Sequence, residues 1–396
     1  MSERLALHGG RPVRGTLLPY GRQTVDEDDV QAVVAALRSD WLTTGPHVPA
    51  FERAVADVVN ASHAVAVSSG TAALHAAVFA AGIRPGDEVI VPALTFAASA
   101  NAVLYQGGVP VFADVRRDTL NVDPADVSSR LTPRTRAVVA VDYAGHPADL
   151  DAMTAIARER GLVLIEDAAH ALGAEYRGRR VGALSDLTTF SFHPVKHIAT
   201  GEGGLVTTAS EEMDERLRRF RNHGLETGFA RRHERGDEYS PMVELGYNYR
   251  LPDVACALGL SQLGKLDQRL KRRAELAQRY RMELGGQPGL LLPAVLPDVR
   301  PAWHIFPVLL EVERLAADRR TILAALRAEN IGASVHYVPV YWHPYYQGLG
   351  YRRGLCPTAE WAFARLLTLP LFAAMTDEDA DDVLEAVRKV LGHFLR

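Results

Sequence analysis

Lys196, in the stretch SFHPVKHIATGEGG (191–204), is one of four lysines in a chain whose lysines and arginines total 44. A guanidinium keeps its proton at any accessible pH, whereas a lysine amine can lose it and bond to a carbonyl carbon. Keeping the rarer cation here, after a strand and before glycines, points to imine chemistry. The other reading is a loop lysine, or a point charge for an anion. Lys265, Lys271 and Lys389 lie in helical patterns among other charges, where either cation serves. Asp167 ends the apolar run LVLIED. An aspartate there is a helix cap or an acid facing a ligand. Ser68, Ser69, Gly70 and Thr71 carry the chain from a strand into a helix, so their N–H groups and the helix dipole either hold a phosphate or only start a capped helix. Ser191 adds a hydroxyl to that phosphate or is satisfied at its own strand end. An imine-forming lysine, an acid for a pyridine nitrogen and a phosphate cup are together what pyridoxal phosphate chemistry requires.

The elements that must position these residues are short apolar runs alternating with helical patterns from about 60 to 210. AVAVSS, DEVIVPA, VPVFADV, RAVVAVDYA, LVLIEDA, DLTTFSF and GGLVTTA read as strands. Their near-continuous Val, Ile and Ala mean burial on both faces, as in a mostly parallel sheet covered by helices. Ligands of such α/β sheets sit beyond the carboxyl ends of the strands, which is where Ser68–Thr71, Asp167 and the Lys196 segment fall. Near residue 265 the pattern changes: GKLDQRLKRRAELAQRYRMEL is a long charged amphipathic helix. WHIFPVLLEV and GASVHYVPV then read as strands, TILAALRAENIG as a helix between them, and TDEDADDVLEAVRKVLGHFL as a closing helix. The expected organisation is a large unit over 1–265 and a smaller α/β unit over 266–396.

Composition is that of a globular chain, 47% hydrophobic and 23% charged, with a formal charge of −4. That balance excludes the basic footprint of a nucleic-acid binder. Cys256 and Cys356 have neither metal-ligand nor redox spacing. The opening MSERLALHGGRPVRG has no apolar signal core, and no run reaches the roughly 18 apolar residues of a membrane span. A cytoplasmic protein without membrane or nucleic-acid partners is expected. A nicotinamide-linked oxidoreductase is opposed by the absence of G-x-G-x-x-G, and G-x-x-x-x-G-K-[ST] is also missing. His336 and His343 in HYVPVYWHPYY lack a third metal ligand, so no metal is expected.

Taken together, AVSSGTAALHAA, DEVIVPALTFAASANAVLYQGGVPVFADV, IEDAAHALGA, SFHPVKHIATGEGG, FRNHG, LGYNYRLPDVACALGLSQL, HYVPVY and LTLPLF resemble the DegT/StrS-type sugar aminotransferases over nearly the whole chain. The resemblance implies fold type I, a large domain with a mostly parallel seven-stranded sheet that binds pyridoxal 5'-phosphate, and a smaller C-terminal domain. It implies that Lys196 forms the imine with the cofactor and Asp167 pairs with the pyridine nitrogen. Phe96 stacks on the ring, His170 lies on the ring-oxygen side, and Gly70, Thr71 and Ser191 hold the phosphate. Asn248, supported by Arg250, reaches that phosphate from a second subunit, which makes the enzyme a homodimer. Tyr20, Thr43, His336 and Tyr337 border the substrate. Among branches of the family, the chain most resembles C4-aminotransferases of UDP-4-keto-6-deoxy-N-acetylhexosamine of the pseudaminic acid type.

The implied reaction is ping-pong, with L-glutamate as donor, a nucleotide-linked keto sugar as acceptor, and Lys196 as proton carrier in both halves. A dTDP-keto sugar or a keto-cyclitol would use the same residues. A regulator that only binds the cofactor is opposed by the complete set of Lys196, Asp167 and Ser191.

Overall fold

The computed structural model describes residues 4–226 and 238–396. The apolar runs form seven strands: β1 (His63–Val67), β2 (Glu88–Pro92), β3 (Val109–Ala113), β4 (Thr135–Val141), β5 (Val163–Asp167), β6 (Leu187–Ser191) and β7 (Gly204–Thr208). They make one sheet in the order β1-β7-β6-β5-β4-β2-β3. Every pairing is parallel except the two made by β7. The mostly parallel seven-stranded sheet is therefore as the sequence reads. β2 and β7 are buried along their whole length, because helices cover both faces.

Four helices fall before β3: α1 (Glu27–Leu37), α2 (His47–Val59), α3 (Gly70–Ala80) and α4 (Ala97–Tyr105). α3 is apolar all round; Ala72, Ala73, Ala76 and Ala77 are buried, so the helix lies close against β6 and β7. α5 (Leu150–Arg160) links β4 to β5, and after β7 come α6 (Glu211–Phe220), α7 (Asp253–Leu263) and α8 (Leu266–Leu284).

Glu52 of α2 ties this framework together. Its side chain is buried, accepts from the Ala66 amide at 2.9 Å, and pairs with Arg218 at 3.0 Å and with Arg221. The same two arginines donate to the carbonyls of Ala64 and Ala66. One carboxylate and two guanidiniums thus fix β1, which delivers Ser68–Thr71. The arginines hold the Glu52 carboxyl below its ordinary range against the upward push of burial. Its contribution is therefore complete above the unfolded glutamate value, about 4.3, and is lost as pH falls through the lower folded value. Glu52→Ala would leave Arg221 without its carboxylate among the described residues and the Ala66 amide without its acceptor, while Arg218 keeps Asp214, and should cost about 3–5 kcal/mol in urea unfolding at neutral pH. A loss below about 1 kcal/mol would refute the clamp.

The C-terminal part forms a second sheet of β8 (Leu290–Leu291), β9 (Phe306–Leu310) and β10 (Leu366–Leu369), in that order. Its core is built with α8, α9 (Arg319–Ala328) and α10 (Asp377–Phe394). Leu5 and Leu18 are buried in this same core, so the chain's start packs against its end. The Glu329 carboxylate holds the two together, accepting from the amides of Ala6 and Val13 and from Lys389.

GASVHYVPV departs from the expected strand. Ser334 bridges to Thr368, and residues 335–339 then run irregularly. Pro339 has no amide to give a ladder, and Tyr337 is taken up by a side-chain partner, His170. Among the described residues, no helix is long and apolar enough to cross a membrane.

Candidate active site

Parallel strands bring their carboxyl ends to one edge, so β1, β5 and β6 deliver Ser68–Thr71, Asp167 and Ser191 side by side. The helix start is built on close approach. A Cβ at Gly70 would lie 2.8 Å from the Ser191 Cβ and 3.0 Å from its Oγ. A Cβ at Gly204 would meet the Ser69 carbonyl at 2.3 Å. Only glycine lets α3 begin against β6 and β7. Ser69 is the cap, its Oγ accepting from the Ala72 amide at 3.0 Å. The first-turn amides of Gly70 and Thr71 have no intrahelical acceptor, and beside the Ser191 hydroxyl they form an anion cradle.

Asp167 is buried at the end of β5. Its Oδ2 accepts from Ser99 Oγ at 2.7 Å and its Oδ1 from the Ala169 amide at 3.2 Å. Ser99 in turn meets Thr95 Oγ1 at 2.8 Å. Burial raises the carboxyl above its ordinary value, while Ser99, Ala169 and the Lys196 charge pull it back. A protonated ring nitrogen is the partner that would complete this compensation. Asp167 is thus more than a cap.

Lys196 Nζ lies 3.3 Å from His304 Nε2. Burial, aided by the Arg273 charge and opposed by Asp167, lowers the amine to about 8. That brings the free base within reach at physiological pH, as a proton carrier needs. The loop is pinned on both sides. His197 is buried and donates from Nε2 to the Ala302 carbonyl at 3.0 Å. Arg273 of α8 is buried and donates to the carbonyls of Trp303, His304 and Leu371, with Val195 O at 3.5 Å.

The remaining expected residues divide. Phe96 stands at the entry to α4 with 59% of its surface exposed, its ring 5.8 Å from that of Tyr337. A core-packing role is excluded, and a ring left open beside the lysine pocket suits stacking. His170 is buried, with Nε2 3.2 Å from Tyr337 Oη and Nδ1 without a partner among the described residues. Tyr20 stacks obliquely on His336 at 5.0 Å, and His336 Nδ1 meets Thr368 Oγ1 at 2.9 Å. These rings join Tyr20, His336, Tyr337 and Phe96 into one wall. Thr43 stands apart, exposed on the loop before α2, and no described hydrogen bond or ring contact joins it to the pocket. Asn248 is exposed in its own chain, on a segment whose neighbour Tyr249 accepts from the Ser68 amide at 2.8 Å. Arg250 donates to Asn222 Oδ1 at 2.6 Å rather than to Asn248.

Three contributors escape a sequence reading: Ser99, His304 and Arg273. Ser99 had a local signal, lying three residues after Phe96 on the first turn of α4. Arg273 sits in a helix crowded with charges, and His304 opens an apparent strand; neither carries a local mark.

The residues present fit pyridoxal phosphate: a cradle that a Cβ would fill, a buried carboxyl with no ion pair within 4.0 Å among the described residues, an amine lowered toward neutrality, and a buried His170 Nδ1 with no partner among the described residues.

A family model described as the DegT/DnrJ/EryC1/StrS aminotransferase family matches residues 23–388. The spore coat polysaccharide biosynthesis protein SpsC of Bacillus subtilis is 43% identical over 381 residues, 96% of this chain and 98% of SpsC. Helicobacter pylori PseC, an aminotransferase involved in the biosynthesis of pseudoaminic acid, superposes with a TM-score of 0.89 at 30% identity, covering 96% of this chain and 100% of PseC. DesI, solved in the presence of its TDP-sugar product, gives 0.87 at 32% identity over 98% of this chain and 97% of DesI.

Proposed function

Because this chain belongs to the DegT/DnrJ/EryC1/StrS aminotransferase family, we propose that it carries an amino group from L-glutamate to a nucleotide-linked keto sugar, UDP-4-keto-6-deoxy-N-acetylhexosamine in the first place. It is a pyridoxal phosphate-dependent transaminase of fold type I. When bound, the cofactor supplies an electron sink for the carbon that loses its proton. The observation that carries the reading is a buried amine, Lys196, near enough to a buried carboxyl, Asp167, that the charge of each shifts the other's proton affinity.

Each residue then has a physical task. Asp167 holds positive charge at the ring nitrogen. Gly70, Thr71 and Ser191 take the phosphate, and Phe96 covers a ring face. His170, kept neutral by burial and by the Lys196 charge, offers a neutral imidazole toward the ring oxygen. Lys196 Nζ moves the proton away from the donor carbon in one half of a ping-pong cycle and returns it in the other. Tyr20, His336 and Tyr337 receive the sugar. Asn248 reaches the phosphate of its neighbour's site from a second copy of the chain, so that the enzyme works as a homodimer, and Thr43 borders the substrate. Residues 1–265 carry the cofactor and 266–396 close the sugar side, with the chain's first residues packed on the latter.

The likeness to PseC, involved in the biosynthesis of pseudoaminic acid, accords with an acceptor of the pseudaminic acid type, and the likeness to DesI, solved with its TDP-sugar product, favours a dTDP-linked one. Product masses from purified enzyme, glutamate and a panel of UDP- and dTDP-keto sugars should show the amine on the UDP-4-keto sugar. An amine on dTDP substrates alone would exchange the two. Borohydride reduction of the loaded enzyme should place the mass tag on the peptide bearing Lys196; a tag elsewhere would end the assignment.

A further inference from the structure

His304 belongs to no motif that carries the site, yet it makes the one hydrogen bond to the Lys196 amine among the described residues, Nε2 to Nζ at 3.3 Å. Its position is strongly built. Its amide donates to the Ala144 carbonyl at 3.1 Å, its carbonyl accepts from Arg273, and its ring lies 4.3 Å from that of His170. Gly145 permits this approach: with φ +90, a Cβ there would meet the amide nitrogens of Trp303 at 2.8 Å and His304 at 3.1 Å. The ring's other nitrogen, Nδ1, is buried without a partner among the described residues. A buried donor left unmatched is uncommon and is costly to keep. Here it has a use. With the proton on Nδ1, the Nε2 lone pair is free to face the lysine.

We propose that His304 is the positioning residue for Lys196, its neutral imidazole accepting a hydrogen bond from the lysine ammonium whenever the amine is released from the cofactor. The inference rests on the assignment of Lys196 as proton carrier. The released amine takes a proton from carbon and must hold it within reach of the next carbon until it is given back. A flexible ammonium with no acceptor would turn to solvent. The groups facing it are Asp167, His170, His197, Arg273, His304 and His336. Arg273 repels the ammonium, His197 is bonded to Ala302 and His336 meets Thr368; of all these groups, His304 is the one with a hydrogen bond to Nζ among the described residues. His304 offers the lone pair. Burial and the Lys196 charge keep its imidazole neutral, so it does not compete for the proton.

The small number of lysines makes the test direct. Full-length, cofactor-free protein labelled with ¹³C-lysine should give four side-chain signals, one removed by Lys196→Ala. His304→Leu removes the acceptor and the unmatched nitrogen together, so it should fold as well as wild type. It should lower the Lys196 titration midpoint by about one pH unit, since a hydrogen bond to a charged group favours that form by roughly this much. His304→Gln, which keeps an acceptor at similar reach, should restore it. In the loaded enzyme, kcat should fall about tenfold in His304→Leu, with KM for the sugar unchanged, and recover in His304→Gln. A Lys196 midpoint in His304→Leu equal to wild type, or a glutamine variant that behaves as the leucine variant, would overturn the proposal. The titration needs neither substrate nor cofactor, so it stands apart from a failure of the borohydride mapping. Should His304→Leu not fold, His304→Phe carries the same comparison.

Discussion

Lys196→Ala should lower kcat by at least about 10³-fold, because proton transfer by a placed side chain alone contributes roughly 10²–10⁴ and, in the proposed mechanism, the same amine serves both halves of the cycle. The loss should appear in each half when the two are followed separately in single turnovers, one with glutamate and one with the keto sugar. Lys196→Arg should not recover it. A guanidinium restores the charge but has no free base at working pH. The fold should survive both changes, since Lys196 lies within a loop that His197 and Arg273 hold by their own bonds. Far-UV circular dichroism checks that point. Turnover near wild type in Lys196→Ala would remove the basis of the mechanism.

Asp167→Ala should cost about 10²–10⁴ in kcat/KM, and Asp167→Asn should cost nearly as much, because what the ring nitrogen needs is a charge and not a shape. The two variants differ in stability. Burial raises the Asp167 carboxyl in the cofactor-free protein, so ionising it there works against folding at pH values above its unfolded midpoint. Asp167→Asn therefore should not destabilise the cofactor-free chain, and its amide can still face Ser99. Chemical denaturation without cofactor, set beside activity with it, separates the carboxylate's two effects. An asparagine variant with wild-type activity would show that no positive charge is held at that position.

Much of this site was legible because its signals are local. Lys196 stands out against a background of arginine, Asp167 closes a buried strand, and Gly70 opens a helix; in each case neighbours in sequence are neighbours in space. The strands were equally plain, since Val, Ile and Ala runs buried on both faces admit few other arrangements. What was hidden comes from a distance. Arg273 is 77 positions from Lys196 and looks like the other cations of α8 until the loop's carbonyls are folded over it. His304 faces a lysine 108 positions away. GASVHYVPV misleads because its β-branched and aromatic residues have strand character, while its side chains have been taken by the pocket: Tyr337 by His170, His336 by Thr368. Local preference gives way where a tertiary contact claims the residue.

Arg273 has a bearing on how such an enzyme can be re-engineered. Its single guanidinium collects carbonyls from the lysine loop, from the segment bearing His304 and from Leu371 just past β10. Exchanging the C-terminal portion between relatives carries Arg273, the His304 segment and Leu371 across together and redraws the one contact that crosses the joint, to Val195 of the lysine loop. A chimera joined at residue 265 therefore also resets the aim of the reactive amine, and grafts are best judged on that geometry before their new specificity is read.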